Sequence, residues 1–387
     1  MQYMKAPTEV TWYVQDASSY VVQPSQEMRW FHARLPGYQA TRLVRADSLA
    51  RDLGLGEVWV KDESNRLGYL SFKLLGASWA TYRALQAIGG FGDEDWSNVD
   101  DLAGLVARTT KVRRLAAATD GNHGWAVAHV AGWLGMAVSI FLPAGASRAR
   151  IDAIRSEGAS VEVVDGGYGD AVRRSALEAA EDCLVISDTS WEGYVNVPRW
   201  VIEGYSTIFA EADEQLRAAG AKPLTAMVVQ VGVGALAAAA VRYVRADSIM
   251  RGVRLIAVEP LAAACNLESM RAGEIITILG PHDSIMVGLN CDTPSLVAWP
   301  DVSAGIDVFV AVDDDAARAA MRALGRVGIV AGETGAAGFA GLSELRTGKA
   351  SACGAQIGLG PDSQVLVLVT EGATDPQAYA GIVASTQ

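Results

Sequence analysis

Lys73 lies in the stretch Leu70 to Ala80, LSFKLLGASWA, with Phe72 on one side and Leu74 and Leu75 on the other. Apolar surroundings disfavour the charged form of an amine and lower its pKa. A desolvated amine is the nucleophile that Schiff-base chemistry requires. A lysine at a helix start, with a packed stem and a head in water, has the same pattern. Four other stretches place polar groups after apolar runs. AAATDGNHGWAVA carries Asp120 and, between two glycines, Asn122 and His123, and SDTSWEGY carries Asp188 and Glu192. VVQVGVGALAAAAV runs into Gly232 and Gly234, and LVLVTEGATDP ends an apolar run at Thr370 and Glu371.

Glycines between a strand and a helix expose backbone N–H groups, and with the helix N-terminus these can bind an anion. The spacing Gly232-x-Gly234-x-x-Ala237 also fits a dinucleotide fingerprint, with Asp247 as ribose partner. A plain tight turn satisfies it too. The carboxylates at 188 and 192 read equally as catalytic groups or as turn and cap residues. His123 reads first as a structural hydrogen-bonder.

These residues need elements that present them, and the sequence supplies alternating strands and helices from about residue 57 onward. EVWVKDE, RRLAAAT, AVSIFLP, SVEVVD, CLVIS and LTAMVVQV read as strands. FKLLGASWATYRALQAI, WAVAHVAGWLG, SRARIDAIRSEG (Ser147 as N-cap, Gly158 as stop) and GDAVRRSALEAAED read as helices. PRWVIEGYSTIFAEADEQL reads as one long helix with proline in its first turn. Repeated β-α-β units predict parallel sheets covered by helices, with ligands at the carboxyl ends of the strands. Residues 89–101 and 278–305 read as surface connections.

The 387 residues are half hydrophobic and include 40 glycines, which suits a large α/β chain with many tight turns. A net charge of -12 without a basic block argues against nucleic acid and anionic membranes as partners. No apolar run is long enough for a transmembrane helix, and the first residues lack the apolar core of a signal peptide. A cytoplasmic location is therefore expected. Four cysteines (183, 265, 291, 353) and four histidines show no metal-ligand spacing, so no metal site is expected. Cys265 and Cys291 could meet, but thiols in a reducing compartment stay reduced.

The order of the signals is lysine, asparagine loop, glycine turn and late hydroxyl. It resembles that of the fold type II pyridoxal-phosphate enzymes, the tryptophan-synthase β-like group, over roughly residues 57 to 375. Within the group the chain most resembles the diaminopropionate ammonia-lyases. The stretches that carry this are KDESNRLGYLSFKLLGASWA, ATDGNHGWAVA, DTSWEGY, VEPLAAAC, GETGAAG and TEGATDP. The resemblance implies pyridoxal 5'-phosphate as cofactor, a small amino-acid substrate and a homodimer. It implies two α/β domains, each with a mainly parallel twisted sheet flanked by helices, and the cofactor in the cleft between them. Residues 1–84 and 191–387 would form the large domain and 85–190 a small mobile one.

By the same resemblance Lys73 is the Schiff-base lysine and Asn122 lies beside the cofactor's 3-hydroxyl. Gly232, Val233, Gly234, Ala235 and Leu236 form the phosphate turn, and Thr370 is the ring-nitrogen partner. Asp120 is the distinguishing mark, since most relatives carry serine or threonine there. It would act at Cα opposite Lys73, with Asp188 as a second carboxylate for the amino groups. Two positions depart from the wider group: the turn reads GVGAL rather than all glycine, and Ser71 replaces an asparagine. The implied reaction is elimination from 2,3-diaminopropionate (D, L or both) to pyruvate and ammonia. A serine or threonine dehydratase, a β-replacement enzyme and an NAD-binding oxidoreductase are the alternatives.

Overall fold

A computed structural model describes residues 2–22, 28–119, 121–246 and 250–385. The chain divides into two compact units, one of residues 1–26, 40–65 and 208–387, the other of residues 27–39 and 66–207.

The first unit is built on a seven-stranded sheet. Its order is Thr11–Val14, Val308–Val312, Arg254–Pro260, Ala226–Gln230, Gln364–Val369, Glu57–Asp62, Leu43–Arg45. The five inner strands are parallel, and the two outer ones pair antiparallel. Inner strands of a covered parallel sheet are hidden on both faces, so they read as unbroken apolar runs such as QVLVLV and VFVAV. Lys61 breaks that pattern. Its ammonium is buried and paired with the equally buried Glu211 at 2.8 Å, and it also donates to the Thr41 carbonyl. Gln2–Lys5 and Ile276–Leu279 form a separate parallel pair.

The second unit carries a four-stranded, all-parallel sheet ordered Ser160–Val164, Ala137–Pro143, Arg114–Ala118, Cys183–Val185. The helix Lys73–Gly89 packs into an aromatic cluster in which Trp79 and Tyr82 meet Phe31 and Trp96. It can approach Tyr205 because residue 76 is glycine: a Cβ there would lie 2.5 Å from the Tyr205 ring. Ser147 caps the helix Arg148–Ser156, and Gly158 follows it at φ 83°, as the sequence predicts. The α/β class expected from the sequence is the class found.

Two expectations are corrected. Residues 196–218 are not one helix but two, Asn196–Gly204 and Ser206–Ala218. The first begins two residues before Pro198, and Gly204 sits so tightly that a Cβ would lie 2.6 Å from the Leu75 carbonyl. The stretch 278–305 is not a surface connection. It contains the helix Trp299–Gly305, and Met286, Leu289, Cys291, Ala298 and Val302 are buried. Among the described residues, no helix is long and apolar enough to cross a membrane, and no cluster of His, Cys, Asp and Glu is placed to hold a metal.

Candidate active site

In the second unit Lys73 opens its helix, and its backbone N–H is taken by the buried Ser71 hydroxyl. The Lys73 side chain is 20% exposed, and its Nζ donates to Asp188 Oδ2 at 2.6 Å. Asp188 follows the strand Cys183–Val185 and is itself buried. Tyr168, the first residue of the helix Tyr168–Ala176, donates to Asp188 Oδ1 at 2.9 Å. Burial would raise the Asp188 carboxyl. The Lys73 charge and the hydrogen bonds from Lys73 and Tyr168 outweigh it and hold the group well below the usual carboxylate range. The loop carrying Asp188 is clamped by Tyr194, whose hydroxyl donates to the Val185 carbonyl at 2.6 Å and accepts from the Ser187 N–H. Tyr194 also stacks on Trp191 at 4.0 Å. Glu192, the other candidate carboxylate of this loop, is exposed.

His123 lies in the first turn of the helix Asn122–Trp133. Its Nε2 faces the Ile186 carbonyl at 2.8 Å, which assigns the proton to that nitrogen. Its buried Nδ1 has no hydrogen-bond partner and points a lone pair toward Asp188 Oδ2 at 3.9 Å. Burial, helped by the Lys73 charge, keeps the imidazole pKa below its ordinary value, although Asp188 and the Ile186 carbonyl pull the other way. Asn122 is the helix's first residue, and Gly121 before it has φ 151°. Gly124 serves packing rather than ligand approach: a Cβ would lie 2.4 Å from Thr119 Cγ2. Asp120 lies outside the described residues.

In the first unit the strand Ala226–Gln230 leads through Gly232, Val233 and Gly234 into the helix Ala235–Ala246, which starts with Ala235 and Leu236. Gly234 has φ 108°, a conformation that side-chain-bearing residues rarely adopt. Gly232 is pressed on the loop Gly288–Cys291, where a Cβ would lie 3.1 Å from Cys291 Sγ and 3.3 Å from the Gly288 carbonyl. The first-turn N–H groups of a helix have no intrahelical acceptor, so this turn offers a cradle of donors. Thr370 is buried at the end of the strand Gln364–Val369. Its hydroxyl accepts from Gln230 Nε2 at 2.7 Å, which leaves the Thr370 proton to donate elsewhere. Asp247, the ribose candidate of the dinucleotide pattern, lies outside the described residues.

An amine beside an anion, a glycine cradle for an anionic group and a buried hydroxyl with a proton to give are what a phosphorylated pyridine aldehyde requires, so the residues fit pyridoxal phosphate. The family described as pyridoxal-phosphate dependent enzyme matches residues 34–371. The chain belongs to the pyridoxal-phosphate-dependent enzymes. It is 34% identical over 362 residues to diaminopropionate ammonia-lyase of Escherichia coli strain K12, covering 92% of this chain and 90% of that one. That similarity places it in the diaminopropionate ammonia-lyase family. The solved E. coli enzyme in complex with D-serine superposes with a TM-score of 0.86 at 31% identity, covering 98% of both chains. The same enzyme with an aminoacrylate-PLP azomethine intermediate gives 0.85, also over 98% of both chains. The resemblance read from the sequence is thus borne out, and with it pyridoxal 5'-phosphate as the cofactor; the dinucleotide alternative falls.

Within this ammonia-lyase family member, the second unit brings Lys73 and Asp188 into contact and sets Asn122 at a helix start. The first unit holds Gly232 to Leu236 and Thr370. Sequence reasoning missed Tyr168 and Gln230, which hold Asp188 and Thr370. Tyr168 directly follows Gly166 and Gly167, and Gln230 is a polar residue at the end of an apolar strand. Those were the available signals. The four cysteines are buried; Cys183 is core, and Cys265 and Cys291 both lie against Gly232.

Proposed function

We propose that the enzyme converts 2,3-diaminopropionate and water to pyruvate and two ammonia molecules by α,β-elimination. The observation that carries this reading is the 2.6 Å pair of Lys73 and Asp188, an amine for proton transfer beside a carboxylate kept ionised for a substrate with two amino groups. Lys73 would hold the cofactor's aldehyde carbon, Asn122 would lie beside its 3-hydroxyl, the turn Gly232 to Leu236 would hold its phosphate, and Thr370 would face its ring nitrogen. When bound, the cofactor supplies an electron sink for the charge left at Cα.

The Lys73 amine takes the Cα proton from one face of the substrate and Asp120 takes it from the other, so that both enantiomers are admitted. Asp188 accepts hydrogen bonds from the substrate's amino groups. Its negative charge favours the ammonium form of the β-nitrogen, which departs as neutral ammonia with the C–N bonding pair. Tyr168 keeps one Asp188 oxygen in place while the other turns from Lys73 to substrate. Thr370 would offer the ring nitrogen a hydroxyl proton, a donor too weakly acidic to protonate it.

Pyruvate release measured over D- and L-diaminopropionate, serine and threonine tests the reading. Diaminopropionate should give the highest kcat/KM. Turnover of serine and threonine alone would replace the ammonia-lyase with a dehydratase.

A homodimer in the cytoplasm, with residues 85–190 as the core of a small domain that the unit of residues 27–39 and 66–207 contains whole, completes the reading. Twofold dimers are the commonest soluble assemblies, four buried cysteines suit a reducing compartment, and the four-stranded sheet falls within residues 85–190. Light scattering at micromolar concentration should return twice the chain mass.

A further inference from the structure

We propose that Asn266 and Glu259 are positioning residues that set how tightly the turn Gly232 to Leu236 holds the cofactor's phosphate. The inference rests on reading that turn as the phosphate site.

Glu259 ends the strand Arg254–Pro260, and Asn266 is the second residue of the helix Cys265–Ala272; both are wholly buried. Glu259 Oε1 accepts from the Asn266 backbone N–H at 2.8 Å and from its side-chain Nδ2 at 3.0 Å. Oε2 accepts from the Leu267 N–H at 2.8 Å. Asn266 Nδ2 also donates to the Gly232 carbonyl at 2.8 Å. An amide nitrogen has two hydrogens, and here one goes to the carboxylate and one to the turn. Glu259 therefore dictates which way the Asn266 amide faces, and Asn266 dictates where the Gly232 carbonyl points.

The consequence follows from peptide geometry. In a planar trans peptide the C=O and N–H point in opposite directions. Pinning the Gly232 carbonyl on Asn266 aims the Val233 N–H away from the protein interior behind it. The next peptide is fixed in the same way, since the Val233 carbonyl accepts from the Ser295 N–H at 2.8 Å and the Gly234 N–H points opposite. Two successive donors of the turn are thus oriented before any anion arrives. Donors fixed in advance bind more tightly than donors that must be ordered on binding.

A purely structural role makes a different prediction. Glu259 also takes two backbone N–H groups at the start of the helix Cys265–Ala272, and loss of such a cap would weaken the fold without regard to the phosphate. Pyridoxal, which has the aldehyde but no phosphate, separates the two. Cofactor-free wild type, N266A, E259Q and G234V are titrated with pyridoxal phosphate and with pyridoxal, following the visible band of the lysine-linked aldehyde. N266A and E259Q should raise the Kd for pyridoxal phosphate by ~2–10-fold or more and leave that for pyridoxal unchanged. N266A leaves the Leu267 bond to Glu259 in place and serves where E259Q fails to fold. Equal weakening of both ligands, or of neither, overturns the inference while G234V still loses its preference for the phosphorylated form. If G234V also binds pyridoxal phosphate normally, the turn is not the phosphate site and the inference falls with that reading.

Discussion

Around Lys73 the second unit gathers ionisable side chains: an ammonium, the Asp188 carboxylate, the His123 imidazole and the Tyr168 phenol. Around Gly232 the first unit gathers backbone N–H groups, the Asn266 and Gln230 amides and the Thr370 hydroxyl, with the Glu259 carboxyl behind them. One region is suited to moving protons, the other to holding a charged group still. The contrast extends to pH. Burial, with the Lys73 charge, keeps His123 below the ordinary imidazole value. An unfolded imidazole takes a proton near pH 6.5 that the folded one refuses, so this contribution to stability is present above about pH 6.5 and is lost as pH falls. Burial, with the Glu268 charge adding to it, pushes the Glu259 carboxyl up to about 7, against the hydrogen bonds from Asn266 and Leu267. The folded state then holds a proton that the unfolded chain has released. That contribution is full below the unfolded value of 4.5 and is lost as pH rises through about 7. The two regions therefore respond to pH with opposite signs.

The largest effect should come from the proton-moving region. Lys73→Ala should lower turnover by at least ~10²–10⁴-fold and remove the borohydride-sensitive visible band, while bound phosphate resists dialysis. Loss of the band without loss of turnover would end the division of labour between the two regions. Asp120→Asn comes next. It should cost ~10²–10⁴-fold in kcat/KM for one enantiomer of diaminopropionate, D if Lys73 serves the L form. If Asp120 only caps the helix after it, both enantiomers lose alike through a stability loss of about 0.5–2 kcal/mol.

In the holding region, Gly234→Val forces a β-branched residue to φ 108°. Strain of about 1–3 kcal/mol should weaken cofactor affinity by roughly 10–100-fold, while the Asp188 pairing and its pH behaviour are untouched. The smallest effect sharpens the pH contrast. Urea unfolding of apoenzyme from pH 5 to 7.5 should gain slope in one direction when His123→Asn removes its term and in the other when Glu259→Gln does. The Glu259 term is on the order of 3 kcal/mol. Identical slopes in both variants would show that the two groups do not titrate as their surroundings dictate.

The residues legible in the sequence were those whose type clashes with its neighbours. Lys73 stands in an apolar run, two glycines follow the strand before residue 232, and Thr370 closes VLVLV. Their supports were not legible, because each depends on a contact made by topology. Tyr168 reaches Asp188 only once the strands 137–143, 114–118 and 183–185 lie side by side in that order. Asn266 reaches Glu259 only because the single turn Leu261–Ala263 doubles the chain back. The stretch 278–305 misled because Gly280, Pro281, Asp283 and Asp292 give it the look of a loop, although its apolar residues face inward. The edge strands Thr11–Val14 and Leu43–Arg45 are too short for any periodicity to announce them.

Those edge strands set the order in which the chain can be completed on the ribosome. Thr11–Val14 is made long before its partner Val308–Val312, and Glu57–Asp62, which can pair at once with Leu43–Arg45, waits for Gln364–Val369 on its other side. At roughly 5–20 residues per second, synthesis leaves the first of these strands without a neighbour for tens of seconds. The four-stranded sheet has no such delay, since all its strands fall between Arg114 and Val185. Its contacts are local, and local contacts form fast. The strands that carry the Asp188 loop are therefore in place while the seven-stranded sheet is still waiting for Gln364–Val369.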